Sequence, residues 1–409
     1  MIISRFLSFS RIASAVFLVA GTSIGGGMLA LPVATGISGF IPSMSIMFIC
    51  WIAMTLTALM LLEVSMWMEE GAHLITMTSR ILGPFGKIVS FCLYLFICYA
   101  SLAAYTAGGA LQIVAFCSEY FDWTISKDMG AYLFIAIFGG VIYLGSRTIG
   151  RVNTVLFLAM IVAYILLMGT GISKVNSSLL LHQEWKGTWL AIPLLLTSFS
   201  FQMIVPSLTP YLKMNVKAVR IAIIGGTFIT FLIYALWEFF ILGTIPVHGP
   251  DGLAEALRIG EPATQFLPVH VDDHTVYVIA EYFAFFAIIT SFLGIAFGLY
   301  DFLADAFKIK KIGKGKAALG LLIIVPTLIF ATKFSRIFIV ALEISGGFGD
   351  SILNGIIPIL MVWYGRYRLH LSNPVSYRLA GGKPLLICLG LFFIASFILS
   401  SLMQIDYFK

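Results

Sequence analysis

Charge is scarce in this 409-residue chain. Only 11% of residues are Asp, Glu, Lys or Arg, against about 25% in an ordinary soluble domain. With 60% hydrophobic residues and a mean hydropathy of +1.01, a water-soluble surface is excluded. Histidine is equally sparse, and none of the six falls inside an apolar run. The five cysteines, Cys50, Cys92, Cys98, Cys117 and Cys388, form no CxxC pair and sit in or beside apolar runs. They read as small buried hydrophobes, and no structural disulfide is expected. No low-complexity tract and no lengthy polar region is present, so no separate soluble domain is expected. The net charge of +6 sits in short loops between apolar runs. It reports topology, and no nucleic-acid partner is expected.

What is present is a series of apolar runs, each long enough to cross a hydrocarbon core of about 30 Å. They do not alternate, which excludes a β-barrel, and backbone groups in lipid must be satisfied within a segment, which makes them helices. The spans fall near 12–37, 42–67, 87–117, 130–146, 152–172, 188–212, 218–244, 275–304, 316–332, 335–364 and 384–404. The run from Ile12 to about Ile37 exceeds a signal-peptide core, so Arg5 and Arg11 do not announce a cleaved leader. With the N-terminus in the cytoplasm and the C-terminus outside, seven basic residues face outward: Lys127, Lys174, Lys186, Arg258, Lys333, Arg336 and Lys409. The remaining 18 of 25 (25 − 7) face the cytoplasm, the bias expected of a membrane protein. The longest outer loop, about 245–274, contains Pro246, Pro250, Pro262 and Pro268. Its stretch Leu253 to Ile259 predicts a short helix over an entrance.

Two spans carry the marks of interruption. The first contains Gly21-Thr22-Ser23-Ile24-Gly25-Gly26-Gly27, and each glycine weakens a helix by about 1 kcal/mol relative to alanine. The sixth contains Ser198-Phe199-Ser200-Phe201-Gln202, followed by Pro206 and Pro210. Five spans separate the two starts, so the second broken helix enters from the opposite side, as in an inverted repeat. Paired interruptions of this kind mark the midplane site of secondary transporters. Close helix packing through Gly25 and Gly27 stays open as the alternative.

Gly21 through Pro32 (GTSIGGGMLALP) resembles the opening motif of the bacterial aromatic amino acid permeases, the tyrosine- and tryptophan-specific transporters. The similarity continues in Leu61-Leu62-Glu63-Val64, Phe199-Ser200-Phe201-Gln202, Val205-Pro206-Ser207-Leu208 and Thr290-Ser291-Phe292-Leu293-Gly294. It ends with Asp301-Phe302-Leu303-Ala304-Asp305 and Gly355-Ile356-Ile357-Pro358. The resemblance implies the amino acid–polyamine–organocation superfamily and an all-α integral-membrane LeuT-type fold, ten core helices plus one. The repeats would cover about 10–172 and 186–364, with an extra helix near 384–404, all in one transmembrane domain. It implies a monomeric importer of an aromatic L-amino acid in the bacterial inner membrane, with tyrosine preferred over tryptophan. Relatives often carry Gly and His where this chain has Ser200 and Gln202, which puts a histidine-based proton mechanism in doubt.

An amino acid brings a carboxylate and an ammonium, and no Lys or Arg lies inside a span to meet the former. The half-helix beginning near Gly25, Gly26 and Gly27 supplies amides and a positive dipole end. The ammonium would meet carbonyls near Ala20, Gly21 and Phe199, with Thr22, Ser23, Ser200 and Gln202 lining the same breaks. Phe201, Tyr99 and Tyr105 are candidates for the aromatic side chain, although 35 Phe and 16 Tyr make packing the commoner role.

No organic cofactor is expected, only a coupling ion. Ala287, Thr290 and Ser291 share a helical face and, with carbonyls of Gly21 and Ile24, would make an oxygen cage for sodium. A proton mechanism instead needs an intramembrane carboxylate, since hydroxyls do not ionise at physiological pH. Asp350, beside Gly346, Gly347 and Gly349, lies deepest. Glu63, Glu238 and Glu281 lie near span ends, where they reach water, and Glu63 stands with Asp350 as a candidate coupling residue. The family resemblance favours protons; sodium is the alternative. A membrane-embedded transferase holding a metal through Asp301 and Asp305, and a channel, are more distant readings.

Overall fold

The computed structural model describes residues 2–69, 72–144, 146–271, 273–333, 337–372 and 377–407. Its elements are helical. Helix α1 (Ile2–Ser23) and α2 (Gly26–Thr35) are two halves of one span bent by 56°. Then come α3 (Phe40–Met66), α4 (Leu74–Phe121), α5 (Lys127–Leu144) and α6 (Ser146–Gly171). The halves α7 (Ile192–Ser198) and α8 (Val205–Tyr211) form the second interrupted span, followed by α9 (Val216–Leu242). After α10 (Leu253–Ile259) and α11 (Leu267–His270) come α12 (His274–Ala306) and α13 (Lys314–Lys333). A π-helical stretch, Ser345–Ile356, links α14 (Ile337–Ile344) to α15 (Ile357–Tyr367), and α16 (Gly382–Tyr407) closes the chain. Among the described residues ten helical stretches are long and apolar enough to cross a membrane, and the bent pair makes an eleventh.

Local chemistry explains most boundaries. The Asn215 side chain caps α9 by accepting from the Ala218 amide at 3.1 Å, and Asp273 caps α12 through the Thr275 amide at 3.1 Å. Prolines stand in the first turns of α7, α8 and α15, where a missing N–H is harmless. Helix α4 starts thirteen residues before the place where hydropathy starts the third span (87 − 74 = 13). Gly83, at φ 74°, and Pro84 divide a short leading helix from the span proper. The short outer-loop helix is present as α10, ended by Gly260 at φ 76°, and Leu253 packs against Gly36 beside α2.

Helix α9 packs along α1 and α3, while α12 packs against α4 and α6. The π stretch lies between α7, α4 and α16. Gly346 is essential there: a Cβ would collide with the Pro193 carbonyl in the first turn of α7. Extra residues in a helical turn of this kind recur at functional sites. All five cysteines are free thiols. Arg336 and Lys409, two of the seven outward basic residues, lie outside the described residues.

Candidate functional site

The two interruptions meet at the centre of the molecule. Gly25 adopts an extended conformation (φ −169°, ψ −157°), and α2 restarts at Gly26. The Gly26 amide, a donor in the first turn of α2, reaches the Ser291 hydroxyl of α12 at 2.9 Å. Ser291 passes its own hydrogen to the Ala287 carbonyl at 2.9 Å. A Cβ on Gly25 would collide with that hydroxyl, and one on Gly26 would stand 2.6 Å from the Tyr105 ring. The backbone thus approaches α12 and α4 as closely as only glycine permits. Opposite, a Cβ on Gly27 would lie 3.2 Å from the Ser198 hydroxyl, at the end of α7.

Tyr234 of α9 joins the two breaks. Its buried hydroxyl lies 2.7 Å from the Ser23 carbonyl and 2.8 Å from the Ser198 carbonyl. Trp237 donates its indole N–H to the Met28 carbonyl at 2.9 Å. The Phe199 ring meets Tyr234 edge-on, with centroids 5.2 Å apart.

Asp350, 0% exposed in the π stretch, faces the second break. Its Oδ1 accepts from the Ser200 hydroxyl at 2.7 Å and from the Asn354 amide at 2.6 Å. Asn354 also donates to Ser200 at 3.0 Å. Thr197, in the last turn of α7, lies 3.3 Å from Oδ2 and donates to the Leu342 carbonyl at 2.7 Å. Asp350 has no cationic partner among the described residues; it sits in a ring of neutral groups.

The sequence-derived residues therefore divide. Ser23, Ile24, Gly25, Gly26, Gly27, Tyr105, Phe199, Ser200, Phe201, Ala287, Ser291 and Asp350 belong to this central region. Tyr105 adjoins Ser291, and the Phe201 ring is buried. Gly21 faces α6, where a Cβ would stand 2.8 Å from Phe157. The Ala20 carbonyl is taken by the Ile24 amide at 2.9 Å. Thr22 is exposed and bonds back to Leu18 at 2.7 Å. Tyr99 turns outward and donates to the Leu322 carbonyl of α13 at 2.7 Å. Gln202 turns to α3, donating to the Met54 carbonyl at 3.1 Å while accepting the Phe201 amide at 2.9 Å. Thr290 bonds back to Phe286 at 2.8 Å beside Met160 of α6.

Two carboxyls depart from their sequence readings. Glu63 is held bidentately by Arg366, at 2.7 and 2.6 Å, with the pair 1% and 4% exposed. The Leu379 amide adds a third donor at 2.8 Å. Glu238 does not reach water: it is 0% exposed and meets the Thr35 hydroxyl at 2.9 Å. Position along a helix gives depth, but its neighbours bury it from the side. Asp301 is paired with Lys311 at 2.7 Å, a solvated helix end rather than half of a metal pair.

Thr197, Asn354, Tyr234 and Trp237 were not singled out in the sequence. Asn354 stands four residues from Asp350 and shares its face, a readable signal. Nothing local marks Tyr234 among 16 tyrosines.

Comparison with known proteins fits this geometry. The tryptophan/tyrosine permease family profile matches residues 9–400. A tyrosine-specific transport system of Haemophilus influenzae is 30% identical over 387 residues, covering 92% of this chain and 93% of the relative. A tryptophan-specific transport protein of the same organism is 30% identical over 381 residues, covering 90% of each. The crystal structure of MhsT in complex with L-phenylalanine superposes with a TM-score of 0.65 at 14% identity. It covers 95% of this chain and 97% of that one, so the LeuT-type fold is shared. The chain belongs to the tryptophan/tyrosine permease family, multi-pass membrane transport proteins and not enzymes.

Proposed function

We propose that the protein imports an aromatic L-amino acid, tyrosine before tryptophan, by proton symport across the bacterial cytoplasmic membrane. It works as a monomer with its N-terminus inside. The names of the relatives support the substrate class, and the basic-residue bias supports the orientation. The observation that carries the coupling is the placement of Asp350 against the α7–α8 break. Thr197 has one hydroxyl hydrogen, and its shorter contact is to Leu342. Its oxygen is then free to accept from a protonated Oδ2 of Asp350, which suits a neutral acid in a buried ring of neutral groups. Loss of that proton leaves a charge beside Ser200, at the wall of the substrate site, so proton and substrate occupancy influence each other.

The substrate carboxylate seats at the start of α2, with Ser291 fixing one edge of the seat through Gly26. Tyr105 and Phe201 border the space for the ring. On the sodium face, the Thr290 hydroxyl is turned back on its own helix and that of Ser291 is engaged on both sides. Protons are therefore preferred.

Uptake into proteoliposomes under imposed gradients tests this reading. A proton gradient should drive tyrosine accumulation without sodium. Asp350→Asn should keep substrate exchange and lose accumulation at least tenfold. Uptake that needs sodium at constant pH, and fails in Ser291→Ala, would reassign the ion. Equal competition by leucine would remove the aromatic assignment.

A further inference from the structure

We infer that Tyr234 is a positioning residue that makes the two interrupted helices act as one unit during transport. Ser23 and Ser198 are the last residues of α1 and α7. A helix leaves its final carbonyls without intrahelical donors and carries partial negative charge at that end. Both interruptions therefore send a negative end into the same buried place. Two such ends repel each other unless something positive lies between them. One phenolic hydroxyl does this, its oxygen 2.7 Å from one carbonyl and 2.8 Å from the other, with its single hydrogen shared between them.

The surroundings fit a joint rather than a chance contact. Tyr234 is 0% exposed, and Phe199 from the second break closes over its ring. Gly226, Thr230, Tyr234 and Trp237 share one face of α9. A Cβ on Gly226 would stand 2.5 Å from Val19 of α1. Trp237 grips the first break from its other side, at Met28. Helix α9 thus holds the broken ends of α1, α2 and α7 by their backbone carbonyls, in addition to side-chain contacts such as Thr35–Glu238 and Phe199–Tyr234. The joint fixes the spacing of the two breaks, between which the substrate is proposed to seat. Removing it lowers the fraction of carriers that hold this spacing, and apparent affinity falls by the same factor.

The inference rests on the transport reading for its readout, and one experiment separates the two. The intact carrier and Tyr234→Phe are reconstituted into proteoliposomes, and tyrosine uptake is normalised to folded protein. An intact carrier that moves no aromatic amino acid overturns the transport reading. With an active intact carrier, the joint predicts a KM at least fivefold higher in Tyr234→Phe, with Vmax within threefold. A smaller change in KM, or a fall in Vmax alone, overturns the joint. If Tyr234→Phe does not fold, a ring-fluorinated tyrosine at position 234 keeps both shape and hydroxyl. At a pH where both phenols keep their proton, the stronger donor should lower KM at least twofold relative to the natural carrier. An unchanged or higher KM would overturn the joint.

Discussion

Gly25 and Gly26 work by having no side chain, and the residue-scale prediction follows from what stands beside them. The nearest groups are Ser291 and Tyr105, both on long helices that cannot retreat cheaply. Gly25→Val or Gly26→Val should abolish tyrosine uptake while membrane levels stay near normal, measured by transport and surface quantification together. Near-normal affinity in both variants would place the substrate elsewhere. Glu238 allows a sharper test. An ion pair is absent at Glu238 among the described residues, and the neighbour it bonds is the neutral Thr35 hydroxyl. Glu238→Gln, a neutral isostere, should therefore change stability by less than about 1 kcal/mol, whereas a buried ion pair broken in the same way loses about 3–5 kcal/mol. A melting temperature close to the parent's would support this, and a fall of the size expected for a broken ion pair would contradict it. The glycine cluster was plain from composition alone. The burial of Glu238 was not, because depth along a helix says nothing about which neighbours cover its sides.

At the scale of elements, the Glu63–Arg366 pair joins α3 to α15 and draws in the segment at Leu379, whose carbonyl accepts from Arg366 at 2.9 Å. Removing one partner strands the other as a buried charge, so Arg366→Ala should destabilise by about 3–5 kcal/mol. Thermal unfolding in detergent measures this, and a shift no larger than that of an exposed-residue variant would contradict it. The start of α12 responds to pH. Lys174, 3.1 Å from Asp273, and the Thr275 amide hold that carboxyl below the usual carboxylate range. A depressed pKa contributes stability that is present above the unfolded value, about 3.9, and lost as pH falls through the folded one. The protection factor of the Thr275 amide, the exchange rate of an unstructured peptide divided by its own at the same pH, should fall on acidification below about pH 4, and Asp273→Asn should remove that dependence. Asp273 precedes a long apolar run, which made its capping role readable. The partner of Glu63 was hidden, because Arg366 lies some three hundred residues away in the chain and next to it in space.

For the whole molecule, the basic-residue asymmetry yields a topology. Single cysteines at Lys314 and Arg378 should label only from the cytoplasm, and one at Asp251 only from outside. Labelling of Lys314 and Asp251 from the same side would break the eleven-span arrangement. The span count, the two interruptions and the helix over the outer loop were legible because each depends on local composition: apolar length, glycine density and proline position. The π stretch was legible only as a glycine-rich region around Asp350. Its hydrogen-bond pattern depends on how closely α7 and α16 press against it.

The sequence by itself determined where the long apolar helices lie and where two of them break, since hydropathy and backbone propensity are properties of neighbouring residues. The tertiary structure decided which buried acid is paired, which stands among neutral groups, and which side chains turn away from the centre, as Tyr99 and Gln202 do. It also brought Tyr234 to the ends of α1 and α7. Those outcomes depend on the rotation of each helix about its axis and on partners remote in the chain, which no local pattern encodes.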